Sequence, residues 1–384
     1  MQDIRLSREE LQRYSRHIII PEFNVEGQKK LKAARVLVVG CGGLGAPLLS
    51  YLVAAGVGTI GLMDPDKVDE SNLHRQTLFT LEDVGKLKVE AAAKRLRIQN
   101  PHVLLRTYPE SLNPDNALKI IQEYDIVADG TDNFPTRYLV NDACVLLDKV
   151  NVYASIYRFE GQVSVFNYPI DGGERGPNYR DLYPSPPPPG QVPSCAEGGV
   201  LGVLPGIMGS LQANEVIKVI TGLGQPLTGS LFVFDTLSFE SRKLKFHKHP
   251  DNPLQDKGNF SLQNMDYNLF CGQNSSDQND IAEINVREFA EMMRDGEDFM
   301  LIDVREPYEY EIANLGGELI PLKDMENNLS KIPSQKKVIV HCRSGQRSRQ
   351  AIHLLQSKGF NNLINLQGGI QAWAQDIDPE LPLY

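Results

Sequence analysis

Arg35-Val36-Leu37-Val38-Val39-Gly40-Cys41-Gly42-Gly43-Leu44-Gly45 is the stretch whose reading decides the fold. Its first five residues form an apolar, β-branched run suited to the middle of a parallel sheet, where both faces are covered. A glycine loop follows at once, and residues 46–55 continue with apolar helix formers. Thr59-Ile60-Gly61-Leu62-Met63 reads as a second strand, ending in Asp64. Strand, glycine loop, helix and strand make a βαβ unit with a phosphate-binding fingerprint at its first turn. Backbone amides and a helix N-terminus attract any phosphate, so they do not choose the ligand. A nicotinamide or flavin, with Asp64 on the ribose 24 residues beyond Gly40, is one reading. A nucleoside triphosphate is the other.

From Val36 to Met63 no charge appears, a length that could span a bilayer. Seven glycines and Pro47 break it up, so it reads as buried α/β core. Alternation continues outward. Residues 86–99 predict a helix, 124–129 a third strand, and 163–168 and 230–235 later strands, the last after a hairpin signal at Thr228-Gly229. Residues 211–220 have helical periodicity. The expected architecture is one open, Rossmann-like, doubly wound sheet with helices on both faces. Pro184 to Pro189 is a stiff extended piece, either a loop spacer or a docking peptide.

Between about Pro250 and Asp280 the composition shifts to Asn, Asp, Gln and Ser, which reads as a linker. Strands at 299–304 and 337–341 and helices at 346–358 and from Gly368 then predict a small α/β domain. The expected boundaries are 1–249, 250–279 and 280–384. A chain of 384 residues suits two or three domains. A net charge of -10 argues against non-specific nucleic-acid binding, which needs a basic face. The five cysteines include no CxxC pair, a poor framework for disulfides or zinc. Free thiols as reagents fit a reducing cytoplasm. Residues 1–10 are charged and lack the apolar core of a secretory signal.

Residues downstream of the glycine loop must choose its ligand. Arg75, Lys86 and Lys88 return positive charge to the loop, and three phosphates need more of it than a dinucleotide does. Taken singly, Arg75 and Lys88 read equally well as a solvated helix face. Asp129 and Asp132 lie past a strand's C-terminal end, where ligands sit in such sheets and where a carboxylate can hold Mg2+. Cys195 stands in a Pro-rich loop, and loops are where catalytic residues concentrate; it reads as a nucleophile or as a bystander.

Arg13-Tyr14-Ser15-Arg16-His17, the glycine loop, Ser71-Asn72-Leu73-His74-Arg75-Gln76, Thr131-Asp132-Asn133 and Cys195-Ala196-Glu197-Gly198-Gly199-Val200 occur in this order. Together they resemble the MoeB/ThiF family, relatives of the ubiquitin-activating enzymes, over residues 5–249. The resemblance implies ATP in the cleft and adenylation of the C-terminal glycine of a ubiquitin-like sulfur carrier ending in diglycine. It implies Gly40, Gly42, Gly43 and Gly45 as the phosphate loop, Asp64 on the ribose, and Asn72, Arg75 and Lys88 on the phosphates. Asp132, beside Asn133, would bind Mg2+. Arg16 would reach the neighbouring subunit's site in a homodimer, and Cys195 would be the active thiol. The family also carries a structural zinc on two CxxC pairs. The matching positions here are Asn178, Asp181, Asn252 and Gln255, and none is a thiolate. No zinc is therefore expected, and something else must close that joint.

Near the C-terminus, Cys342-Arg343-Ser344-Gly345-Gln346-Arg347-Ser348 lies between a strand and a helix. Inward amides, the helix dipole, Arg343 and Arg347 all favour an anion there. Tyrosine-phosphatase loops need six steps from Cys to Arg; Cys342 to Arg347 is five, a smaller loop that suits a sulfane sulfur. With Asp303-Val304-Arg305-Glu306 and Gly368-Gly369-Ile370, residues 280–384 resemble rhodanese domains, which implies a persulfide on Cys342.

Joined, the domains resemble the fused activating and sulfurtransfer enzymes of molybdopterin synthesis and tRNA thiolation. The expected sequence is adenylation, capture by Cys195, attack by the Cys342 persulfide, and reductive release of a thiocarboxylate. The carrier, of MoaD or ThiS type, and the sulfur donor, a cysteine desulfurase or thiosulfate, stay open, as does the pathway, thiamin synthesis included. Two rival readings are a carrier-binding scaffold without catalysis and an NAD-dependent oxidoreductase. Neither a membrane nor a nucleic acid is an expected partner.

Overall fold

Val36 and Val38 of β1 (Arg35–Val39) enter one apolar cluster, and Leu37 and Val39 enter another. A strand sends alternate side chains to opposite faces, so two clusters mean a sheet covered on both sides. The computed structural model describes residues 4–187, 198–272 and 281–382, which fall into two units, Met1–Gln273 and Asn274–Tyr384. In the first unit, β1 sits between β2 (Thr59–Met63) and β4 (Ile126–Asp129). The order is completed by β3 (Leu104–Tyr108) beyond β2, and by β5 (Val150–Tyr157), β6 (Glu160–Phe166), β7 (Ser230–Asp235) and β8 (Ser241–Lys245) beyond β4.

β3 to β5 are parallel across the sheet, as a doubly wound fold requires. From β5 onward the pairing is antiparallel, so the one open sheet expected is a mixed one. The reason is local. Only Arg158 and Phe159 separate β5 from β6, Arg158 at a left-handed φ of 52°, and parallel strands need a crossover that two residues cannot make. The run at 124–129 is the fourth strand rather than the third, because half-exposed β3 precedes it.

The segment expected to be a linker is instead packed over residues 250–272. Leu254, Leu262 and Tyr267 are buried, and Phe260, Met265 and Phe270 lie against the first unit's second apolar cluster. Tyr267 donates a hydrogen bond to Asp142 (2.8 Å), and Asp142 forms a fully buried bidentate pair with Arg180. The Arg180 guanidinium lies over the rings of Tyr138, Phe260 and Phe270. Spaced apolar anchors inside a polar composition hid this strap from a composition-based reading.

At the joint where zinc would sit, the side chains bond one another. Asp181 Oδ1 accepts from Asn252 Nδ2 (2.7 Å) and from the His249 amide (2.8 Å). Asp181 Oδ2 accepts from the Asn178 amide (2.7 Å), and Asn178 Oδ1 accepts from Asn252 and Asn141. Gln255 donates to the His249 carbonyl. Asn178, Asp181 and Asn252 are all buried. Hard, mutually satisfied oxygen and amide groups do not suit a tetrahedral zinc site, and their hydrogen bonds tie helix Tyr179–Leu182 to the strap.

The second unit has the order β11 (Glu318–Leu319), β10 (Phe299–Asp303), β12 (Lys337–His341), β13 (Leu363–Leu366), β9 (Ala282–Ile284), all parallel. Cys342 follows the central strand directly. Among the described residues no helix is long and apolar enough to cross a membrane.

Removing the Asp181 carboxylate strands buried donors, each costing about 1–3 kcal/mol. Asp181→Ala should lower the first unit's stability by about 3 kcal/mol in denaturant unfolding followed by circular dichroism. A metal chelator should leave the midpoint of the unsubstituted protein unchanged.

Candidate functional site

The sheet's direction of winding reverses at β1, and a cleft of about 290 Å³ opens there at the C-terminal ends of β1, β2 and β4. Gly40, Gly42 and Gly43 line its floor. Helix Gly45–Ala55 starts behind them without a side-chain cap, so its first-turn amides and its dipole face the cleft. Gly45 itself does not line the cleft. A Cβ there would stand 2.0 Å from the Gly40 carbonyl oxygen, so its part is the close approach of helix to loop.

Asp64 is held ready at the rim. Its Oδ2 accepts from the Cys41 amide (2.8 Å) and its Oδ1 from the Asp66 amide (2.9 Å). Burial pushes this carboxyl up, against the pull of Lys88 and of those two amides. Lys88 Nζ lies 2.8 Å from Asp66 and 4.0 Å from Asp64. Arg75 also lines the cleft and donates to the Ser71 carbonyl. Asp132 and Asn133 are exposed on the opposite wall. Asn133 Oδ1 accepts from the Thr136 amide as the cap of helix Phe134–Leu146. Asp129, by contrast, is buried behind Thr131, which donates to it twice, and burial raises its carboxyl. Of the two carboxylates, Asp129 ending β4 and Asp132 beyond it, Asp132 is thus the one open to a ligand.

Two expected residues fall elsewhere within the single chain. Asn72 lies in the short turn Glu70–Asn72 and does not line the cleft; its carbonyl accepts from Arg75 and Gln76. Arg16 is exposed on helix Ser15–Ile18, also off the cleft wall. Cys195 lies outside the described residues. The polar lining residues given no role in the sequence include Asp66, Gln76, Glu110, Ser111, Thr136 and Arg137. Arg137 is buried, donates twice to the Thr131 carbonyl and lies over the Tyr153 ring. Its one sequence signal is position, one helical turn past the Asn133 cap.

The second site is the loop that follows β12. The Gly345 amide lies 3.1 Å from Cys342 Sγ, at the start of helix Gln346–Ser357. Gly345 has a φ of 96°, which turns that amide inward. Helix Gly369–Asp376 holds the loop from behind. Its Ile370 and Gln371 amides donate to the carbonyls of Cys342 and Arg343, both at 3.0 Å. Arg347 does not face the sulfur as a bare charge: it forms a bidentate pair with Glu309 at 2.6 and 2.7 Å. Its expected part in the anion field is therefore largely neutralised, and it joins two helices instead. The Asp303-Val304-Arg305 motif explains where Glu309 comes from. Fully buried Arg305 pairs with Asp303 and donates to the carbonyls of Glu309 and Ala313, which seats helix Pro307–Ile312.

The fold and these two sites define an enzyme class: a nucleotide-binding activating domain joined to a sulfurtransferase domain. The chain belongs to the ThiF family, which matches residues 14–254, and residues 285–376 match the rhodanese-like domain. It is 47% identical to the probable adenylyltransferase/sulfurtransferase MoeZ of Mycobacterium tuberculosis, over 99% of this chain and 96% of that one. It is 42% identical to the adenylyltransferase and sulfurtransferase MOCS3 of Xenopus laevis, over 99% and 89%. The sulfur carrier protein adenylyltransferase of Thermus thermophilus is 53% identical, over 70% of this chain and 99% of its own. In fold, the E. coli MccB complex with MccA-N7isoASN superposes with a TM-score of 0.56 at 23% identity, over 66% and 76%. Adenylyltransferase and sulfurtransferase activity in one chain is the function these matches support.

His341 gives the second unit a pH dependence. It is fully buried, and neither ring nitrogen has a hydrogen-bond partner. Burial holds its pKa down at about 4, against the pull of Asp303 at 3.6 Å. The unfolded imidazole titrates near 6.5, so between these values the unfolded chain binds a proton that the native unit refuses. Stability should fall as pH drops from 7 to 5, by about 2 kcal/mol. The only tryptophan, Trp373, lies in this unit, so its emission during denaturant unfolding measures the effect. The dependence should vanish in His341→Leu.

Proposed function

We propose that this chain adenylates the C-terminal glycine of a ubiquitin-like sulfur carrier with ATP and then converts it to a thiocarboxylate through a persulfide on Cys342. The observation that carries the reading is the cleft. Arg75, Lys88 and Arg137 share its wall with Asp64, Asp66, Glu110 and Asp132, around an amide-lined loop and an uncapped helix N-terminus. The amides and cations suit a triphosphate and a leaving pyrophosphate, and the carboxylates suit a ribose and a magnesium ion.

In the first step the carrier's terminal carboxylate attacks the α-phosphorus, pyrophosphate leaves, and an acyl adenylate forms. Lys88, drawn from Asp66, and Arg75 balance the charge that builds on the phosphates. Asp64 orients the ribose. Asp132 fits Mg2+, which takes one or two carboxylates and completes its shell with water and phosphate; the ion would add charge neutralisation on the phosphates. Arg16 is solvent-exposed, which agrees with a reach into a neighbouring subunit's cleft in a homodimer.

In the second step the persulfide sulfur attacks the activated carbonyl and AMP leaves. A thiol then cleaves the resulting S–S bond and frees the thiocarboxylate; Cys195 is our candidate for that thiol, or for an earlier thioester. A cellular dithiol reductant opens the disulfide left between Cys342 and that thiol, and a cysteine desulfurase or thiosulfate then reloads the freed Cys342. Molybdenum-cofactor synthesis is the pathway we favour, since the MoeZ and MOCS3 relatives match 99% of this chain. Free thiols as reagents suit a reducing cytoplasm.

Cys342→Ala should retain ATP–pyrophosphate exchange with a diglycine carrier and form no thiocarboxylate, read as the intact mass of the carrier. Lys88→Ala should lose exchange by at least about 100-fold. Sulfur transfer that persists in Cys342→Ala would overturn the assignment.

A further inference from the structure

Behind the Cys342 sulfur runs a chain of hydrogen bonds, buried at Ser348 and Asn365 and open to solvent at Glu283 and Arg349, that the mechanism above does not use. Ser348 Oγ lies 2.6 Å from Asn365 Oδ1, 3.0 Å from the Gly345 carbonyl and 3.5 Å from Cys342 Sγ. Asn365 Nδ2 lies 2.6 Å from Glu283 Oε1, and Glu283 pairs with Arg349 at 2.8 Å. Ser348 and Asn365 are buried, and Glu283 faces Asn365 across the β9–β13 register.

The chemistry of these groups sets the direction of the chain. The Glu283 carboxylate, paired with Arg349, accepts, so the Asn365 amide turns its NH2 towards it. Asn365 Oδ1 is then the group presented to Ser348. A hydroxyl has one proton, and the shortest contact with a bare acceptor takes it. Ser348 Oγ therefore shows Cys342 a lone pair, which welcomes a thiol S–H and opposes a thiolate. To stabilise the anion, the hydroxyl must swing its proton from Asn365 to Sγ.

Resting on the reading of Cys342 as the sulfur acceptor, we propose that Ser348 and Asn365 are positioning residues which compete for one proton and so set how much of Cys342 is the reactive thiolate, with Glu283 and Arg349 fixing the orientation of Asn365. Only protons move: the Sγ–H proton leaves to water, and the Ser348 hydroxyl rotates without breaking its O–H bond. The other charged groups near the loop are the Arg343 side chain, the Arg347–Glu309 pair and the Asp303–Arg305 pair beyond neutral His341, and all are kept in the test.

The test is alkylation of Cys342 by iodoacetamide in the full-length protein at neutral pH, followed at peptide level by mass spectrometry. It needs neither carrier nor sulfur donor, so its outcome is separate from that of the proposed function. Asn365→Leu releases the Ser348 proton towards the sulfur and should speed alkylation roughly tenfold, since hydrogen bonds to a charged group are the stronger ones. Glu283→Gln lets the Asn365 amide turn over and should act in the same direction. Ser348→Thr, which keeps the hydroxyl, should react as the unsubstituted protein does. Adding Ser348→Ala to Asn365→Leu should abolish the gain. Trp373 emission reports whether each variant keeps its fold. A gain that survives without Ser348, or no gain in either Asn365→Leu or Glu283→Gln, would overturn the proposal.

Discussion

Both sites depend on the same close approach: a helix N-terminus pressed so near a neighbouring carbonyl that no side chain fits between. In the first unit a Cβ on Gly45 would sit 2.0 Å from the Gly40 oxygen. In the second, a Cβ on Gly369 would sit 2.3 Å from the Cys342 oxygen. In each case glycine lets a helix end reach the reactive loop. The first helix turns its amides to the cleft; the second spends two of its amides on fixing the sulfur loop. Everything else in the sites is arranged around those two approaches.

The charges near the loops divide by how firmly they are held. Lys88 is buried, but its partner Asp66 is about two-thirds exposed at 64%. A pair half open to water is worth about 1 kcal/mol or less, so phosphate can displace it. Arg347 and Glu309 are mostly buried and bidentate. Breaking such a pair costs about 3–5 kcal/mol, which makes it a brace rather than a mobile ligand. The same guanidinium that a sequence motif marks as part of an anion cradle is thus committed to holding helices together.

The strap over residues 250–272 shows a polar solution to a joint for which zinc is the alternative. A metal would bind four thiolates from two segments at once. Here Asp181, Asn178 and Asn252 make the same connection with hydrogen bonds, while Asp142, Arg180 and Tyr267 make a second one beside it. Each buried polar group has its partner, which is the condition for such a knot to stabilise rather than weaken a core.

The sequence by itself determined the βαβ opening, the glycine loop, the order of the two domains and the strand–loop–helix setting of Cys342, because these are local patterns: periodicity, glycine spacing and loop length act over a few residues. It also marked Asp64, Arg75, Lys88 and Asp132 in the cleft. Only the tertiary structure decided that β5 to β8 run antiparallel, that the polar segment after residue 249 is a packed strap, that Gly45 serves packing, and that Arg347 is paired. It alone joined Asn365, Glu283 and Ser348 behind the sulfur. Those facts rest on contacts between residues far apart in the chain, and no local pattern records which distant partner a side chain will meet.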